Sequence, residues 1–205
     1  MNKDIEFYGH SGVRIGDIAI DPGSFTSGKV LDGAQAVIVT HIHADHINPD
    51  LLTNELLQSG IEIYGPSQLK SVLGDRDIPF TALKPGETVT IAGQEVTIFG
   101  GKHWPIYDTI PVVENLSLLV GDVVHPGDDF PVELPNNISK VDTLLLPVSA
   151  PWVKLSDAID FAHRIGATNT HPIHDAILNE QGKALVDNVC INTKVPGYLR
   201  RKATA

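Results

Sequence analysis

The sequence predicts a layered α+β or α/β domain, and three observations carry that prediction. Short apolar strand candidates mix with amphipathic helix candidates, and both kinds occur in each half of the chain. There is no repeat of solenoid period, no low-complexity stretch and no evident linker. A length of 205 residues suits one compact domain, 1–205, with a large core.

In the first half, Ile5–Tyr8, Val13–Ile15, Ile18–Ile20, Ala36–Thr40, Glu62–Tyr64, Thr88–Ile91 and Val96–Phe99 read as strands. Most carry β-branched or aromatic residues and are bounded by Gly, Pro or Asp. Ala92-Gly93-Gln94-Glu95 reads as a hairpin loop between the last two. In the second half the candidates are Leu116–Val120, Val123–His125, Thr143–Pro147 and Thr168–Pro172. Helices are expected over Pro49–Gln58, Ser67–Leu73, Leu155–Ile165 and Glu180–Cys190. Asn48-Pro49 opens the first, a capping residue followed by proline at the first helical position. Leu155, Ala158, Ile159, Ala162 and Ile165 repeat at helical spacing and give the third a buried stripe.

Composition narrows the function classes. Hydrophobic residues are 42% and charged residues 20%, ordinary for a globular chain. No apolar run approaches the roughly 18 residues of a membrane span. The start, Met1–Glu6, is polar and lacks an apolar signal core, so the chain reads as cytoplasmic. Cys190 is alone, which excludes an internal disulfide and a thiolate metal cluster; it reads as a small core residue. The formal net charge is −10, and the one basic run, Arg200-Arg201-Lys202, reads as a solvated end. Nucleic acid is therefore not the expected partner, since tracking phosphates takes clustered Lys and Arg.

One segment carries chemistry. His41-Ile42-His43-Ala44-Asp45-His46 follows the apolar run Val37-Ile38-Val39 and precedes the helix opened by Asn48-Pro49. His41 and His43 are two apart, so extended backbone points both the same way. A strand end and a tight loop can aim four donors into one small volume. Three imidazoles and a carboxylate there are costly to bury unless something positive satisfies them. A borderline ion such as Zn²⁺ suits nitrogen and oxygen donors. The bland alternative is a solvated His-rich loop in a chain with nine histidines. Its position between a buried strand and a capped helix argues against that.

The same segment resembles the HxHxDH signature of the metallo-β-lactamase-fold hydrolases. Later elements match in order: His103 in Gly101-Lys102-His103-Trp104, Asp128 in His125-Pro126-Gly127-Asp128, and His174 in Pro172-Ile173-His174-Asp175. Asp21, in Ile20-Asp21-Pro22-Gly23, resembles the family's early aspartate that supports the metal loop. The resemblance spans essentially the whole chain. It implies a four-layer αββα sandwich with a dinuclear centre at one edge. His41, His43 and His103 would hold the first metal, and Asp45, His46 and His174 the second. Asp128 and a hydroxide would bridge, and Asp45 would also act in catalysis by orienting the nucleophile or moving a proton. Zinc is the first expectation, with manganese or iron as alternatives. Two carboxylates and a hydroxide offset three of four positive charges, which favours an anionic small-molecule substrate or a developing oxyanion. The Gly-His-Ser, Asp-Pro-Gly and Pro-Ile-His-Asp elements look most like the small cytosolic branch that includes L-ascorbate-6-phosphate lactonase.

Other residues compete for roles. His10 reads equally as a site-edge residue or a hydrogen-bonded structural histidine. His171 competes with His174, Asp129 and Asp122 with Asp128. His125 reads as structural and His163 as solvated. Trp152 reads as core and Lys154 as solvated, with a place at the substrate mouth as the alternative. The expected function is hydrolysis of a small ester, lactone or phosphodiester, the substrate being set by loops such as Trp104–Pro111 and Pro126–Pro135. The alternatives are an iron-dependent redox enzyme on the same fold and a non-catalytic metal-stabilised binding protein.

Overall fold

The computed structural model describes residues 5–132, 134, 135 and 141–204, with the side chains of 54–57 and 75 outside the description. Part of the polar start, 1–4, therefore lies outside the described residues, as does residue 133 of the second substrate loop.

Two six-stranded sheets form the centre. The first runs β1 (Ile5–Phe7), β2 (Val13–Ile15), β3 (Ile18–Ile20), β4 (Ala36–Ile38), β5 (Glu62–Gly65) and β6 (Thr81–Ala82), in that order. The second comprises β7 (Thr88–Ile91), β8 (Gln94–Gly100), β9 (Leu116–Val120), β10 (Val123–His125), β11 (Thr143–Pro147) and β12 (Asn169–Ile173), again in sequence order. Each begins with antiparallel hairpins and ends with parallel pairs. Parallel neighbours need crossovers, and the helices supply them. α1 (Pro49–Ser59) links β4 to β5, the short α2 (Lys70–Leu73) lies between β5 and β6, and α3 (Leu155–Ile165) links β11 to β12. α4 (Glu180–Asn192) follows β12.

Alternation along the strands builds three apolar layers. Ile20, Ile38, Ile98, Leu118 and Leu145 meet between the sheets. Val37 and Val39 point the other way, onto Leu52, Leu69 and Leu73 of the helical layer. Leu144 and Leu146 likewise pack on Ala158, Phe161, Val186 and Cys190. The result is the expected αββα sandwich, with strands apolar on both faces because both are covered.

Local departures from the sequence reading are small. The β7–β8 turn is two residues, Ala92-Gly93, not four; both have positive φ, 45° and 71°, as a type I′ turn requires. β6 escaped the sequence reading because two residues show no alternation. The helix expected over Ser67–Leu73 is a 3₁₀ turn at Ser67–Leu69 followed by α2. Phe161 joins the α3 stripe three residues after Ala158 and is fully buried.

In the C-terminal run Arg200 is a correction, whereas Arg201 and Lys202 are exposed as expected. Arg200 is half-buried: it binds Asp187 of α4 through Nε (2.8 Å) and also reaches Asp175, while Tyr198 donates to Asp187 at 2.7 Å. A planar guanidinium between two carboxylates pins this end rather than leaving it solvated. Among the described residues, no helix is long and apolar enough to cross a membrane. Phe161→Ala should cost about 3–5 kcal/mol in chemical denaturation, since a buried aromatic leaves a cavity the two-sheet frame cannot close; a loss under ~1 kcal/mol would contradict this packing.

Candidate metal centre

Strand ends deliver the donors. β4 ends at Ile38, and the chain turns through Val39 and Thr40 into His41, His43, Asp45 and His46. His103 follows β8, Asp128 follows β10, and His174 follows β12. His10 sits in the turn between β1 and β2. These residues converge into two groups, His41, His43, His103 and Asp128, and His10, Asp45, His46 and His174. Within each group the donor atoms all lie within 4.8 Å of one another.

Asp128 stands between the groups. Its Oδ2 lies 3.3 Å from His103 Nε2 and 3.1 Å from His174 Nε2, and its Oδ1 lies 3.1 Å from His46 Nε2. Yet His46 Nε2, His103 Nε2, His174 Nε2 and Asp128 Oδ1 are buried without a properly aligned hydrogen bond. Orphaned buried polar atoms are rare and call for an unseen partner. Four such atoms turned to one point are what a donor set for cations looks like, and the residues fit divalent metal.

The surroundings aim these atoms. His46 donates its Nδ1 proton to Asp21 Oδ2 (2.7 Å), His174 donates to Ser149 O (2.7 Å) and His103 to Trp104 O. Asp21 is fully buried and also accepts from Thr40 N (2.7 Å) and Thr40 Oγ1 (2.8 Å). Thr40 Oγ1 in turn lies 3.1 Å from His41 Nδ1. With Nδ1 committed, each of His46, His103 and His174 presents Nε2 inward. Trp152 Nε1–H donates to Asp128 Oδ2 at 3.0 Å, and Asn115 Oδ1 accepts from Asp128 N at 2.9 Å. Gly23 lets the backbones of two loops touch: a Cβ there would fall 1.8 Å from Asp45 O.

Electrostatics follow from crowding six imidazoles and two carboxylates together. Burial drives the Asp128 carboxyl up, but His46, His41 and contacts from His103 and His174 outweigh it and hold it well below the carboxylate range. Burial likewise opposes ionisation of Asp45, and its contacts with His10, His174 and His46 reverse that strongly. Against their burial, His46 is raised well above the histidine range by Asp128 and Asp21, and His174 is pushed up to about 9 by Asp128 and Asp45. Burial wins at His10, His41 and His43, which fall below that range. Protons on His46 and His174 balance the carboxylates here; cations binding at Nε2 would displace them.

A family model described as a β-lactamase superfamily domain matches residues 4–174. The chain belongs to this family. Its fold is the metallo-β-lactamase fold of that superfamily's metal hydrolases. Protein Rv0786c of Mycobacterium tuberculosis is 35% identical over 176 residues, 82% of this chain and 80% of that one. Igni18, a metallo hydrolase from the archaeon Ignicoccus hospitalis, superposes with a TM-score of 0.72 at 17% identity, over 98% of this chain and 95% of that one. CmlA, a diiron β-hydroxylase from Streptomyces venezuelae, gives 0.71 at 14% identity, over 97% of this chain and 52% of that one. At such identities these two show the shared fold alone.

Within the β-lactamase superfamily frame, all seven expected metal residues fall in the two groups. His171 does not: its Nδ1 pairs with Leu199 O (2.7 Å) of the C-terminal segment. Asp129 stands outside both groups, its carboxyl pushed up to about 6 by burial. Asp122 occupies the β9–β10 turn. His125 is structural, accepting from Gly127 N and pairing with Ser11 O at 3.0 Å. His163 is exposed and pairs with Thr193 O, and Lys154 is exposed. Sequence reasoning missed Trp152 as a partner of Asp128, and Asn115 and Thr40 altogether. Buried polar residues beside strand ends were the available signal. A cavity of about 1500 Å³ opens beside His103, walled by Trp104, Phe130, Pro131 and Val112. Asp21→Asn removes an acceptor shared by Thr40 and His46; equilibrium dialysis should show cation affinity reduced roughly 10–100-fold, and unchanged affinity would contradict the supporting role drawn for Asp21.

Proposed function

We propose that this chain is a dinuclear metal-dependent hydrolase acting on a small ester, lactone or phosphodiester. The observation that carries the reading is the pair of buried donor groups meeting at Asp128, with four orphaned donor atoms between them. In this reading His41, His43 and His103 would hold one cation, Asp45, His46 and His174 the other, and Asp128 would serve both. Nitrogen-rich donors with two carboxylates suit Zn²⁺, with Mn²⁺ or Fe as alternatives. When bound, the ions supply Lewis acidity and a hydroxide nucleophile near neutral pH.

The chain's own groups do the rest. Asp45 and His43 are the half-exposed members of the set, so they mark the side from which substrate and water arrive. Asp45 keeps 27% of its side chain open to solvent and is firmly ionised, which suits it to orient the attacking water by accepting a hydrogen bond from it. Trp152 holds Asp128 Oδ2 with a neutral N–H and thereby fixes the central carboxylate without cancelling its charge. The substrate loops supply walls of the cavity beside His103, largely apolar, where the non-reacting part of a small molecule can bind. A small-molecule partner rather than nucleic acid accords with the acidic charge.

A second reading, an iron-dependent redox enzyme, draws support from the fold shared with a diiron hydroxylase. Elemental analysis of protein purified without added metal separates the two: iron with oxygen uptake would favour the redox reading over hydrolysis. A binding protein without catalysis would turn over nothing across lactones, esters and phosphodiesters when metal-replete. His43→Ala should abolish hydrolysis of the best substrate in that panel with the circular dichroism spectrum unchanged; retained turnover would contradict its role.

A further inference from the structure

His10 is bound into the centre from a distant turn. Its side chain is fully buried, and Nε2 lies 3.2 Å from Asp45 Oδ2. The Ala176 N–H points at His10 Nδ1 from 3.4 Å, so Nδ1 accepts and the ring proton sits on Nε2, facing the carboxylate. The His10 carbonyl accepts from His174 N at 2.9 Å, and the two rings lie 3.9 Å apart. The residue holds φ at 51°, a left-handed conformation that costs a non-glycine residue free energy unless its surroundings enforce it.

We propose that His10 is a positioning residue: its Nε2–H fixes the Asp45 carboxylate for the second cation, and its carbonyl registers that carboxylate against the His174 loop. The proposal rests on the dinuclear reading above. Asp45 Oδ2 is also the oxygen that faces His174 Nε2 (3.5 Å) and His46 Nε2 (4.0 Å). One lone pair of that oxygen is thus held by His10 while the other is left for a cation, the pattern by which outer hydrogen bonds orient metal-binding carboxylates. An imidazole whose Nε2 carries the proton has no lone pair there to offer, so His10 serves the cation through Asp45 and not as a donor itself. Phe25, 51% exposed, stands edge-on at 5.3 Å and shields the ring from one side.

The test separates the hydrogen bond from backbone strain. Asn tolerates the left-handed conformation but is too short to reach Asp45; Gln tolerates it less well but carries an amide N–H at the reach of the histidine Nε2. Strain alone would therefore favour His10→Asn, and the hydrogen bond favours His10→Gln. Wild type and both variants are titrated with Zn²⁺ by equilibrium dialysis, with thermal melts of the apo forms as a check on folding. Wild type should take up two ions per chain. His10→Asn should keep the tighter ion and bind the second about tenfold or more weakly; His10→Gln should restore most of that affinity. Two ions bound by His10→Asn with wild-type affinity, or equal losses in both variants, would overturn the proposal and leave the dinuclear reading standing. Fewer than two ions on wild type would overturn both.

Discussion

A carboxylate as deeply buried as Asp128, only 2% exposed, stays charged inside a protein only if positive groups face it. Here the rings of His41, His46, His103 and His174 all lie within 4 Å of its oxygens. Much of the surrounding structure serves this concentration of polar atoms. Asp21, Thr40 and the Ser149 carbonyl hold the rings of His46, His41 and His174, Trp152 holds the Asp128 carboxylate and Asn115 holds the Asp128 backbone N–H. Remove the cations such a set is built for, and the balance falls to protons on His46 and His174.

The sandwich makes this possible by keeping the donors on strand ends. β4, β8, β10 and β12 are locked by apolar packing, on both faces where helices cover them. Their ends are therefore rigid, while the loops leaving them are free to carry unusual backbone. Among the described residues, three of the six non-glycine residues with positive φ, His10, Asp21 and His174, belong to the centre or its immediate support. Such conformations persist only where packing and hydrogen bonds over-determine them, and they gather at functional sites.

The sequence exposed much of this and hid the rest for physical reasons. Strands such as Leu116–Val120 and Thr143–Pro147 were legible because continuous apolar runs mark burial on both faces. The cluster from His41 to His46 was legible because its donors are neighbours in the chain. His103, Asp128 and His174 came from family resemblance, not from any local pattern. Trp152 reaches Asp128 across 24 residues and His10 reaches Asp45 across 35, and a single residue at such a distance has no periodicity to betray its partner. Arg200 escapes the sequence reading for the same reason: its partners Asp175 and Asp187 lie 25 and 13 residues away, while its basic neighbours Arg201 and Lys202 are solvated.

In the dinuclear proposal two cations share Asp128, each with its own donor group. Anomalous diffraction from crystals of the Zn²⁺-loaded protein, collected either side of the zinc edge, tests it most directly. Two peaks per chain are expected about 3.5–4 Å apart, the spacing of two-metal sites, one among His41, His43 and His103 and the other among Asp45, His46 and His174, with Asp128 between. A single peak, or two peaks elsewhere on the surface, would contradict it.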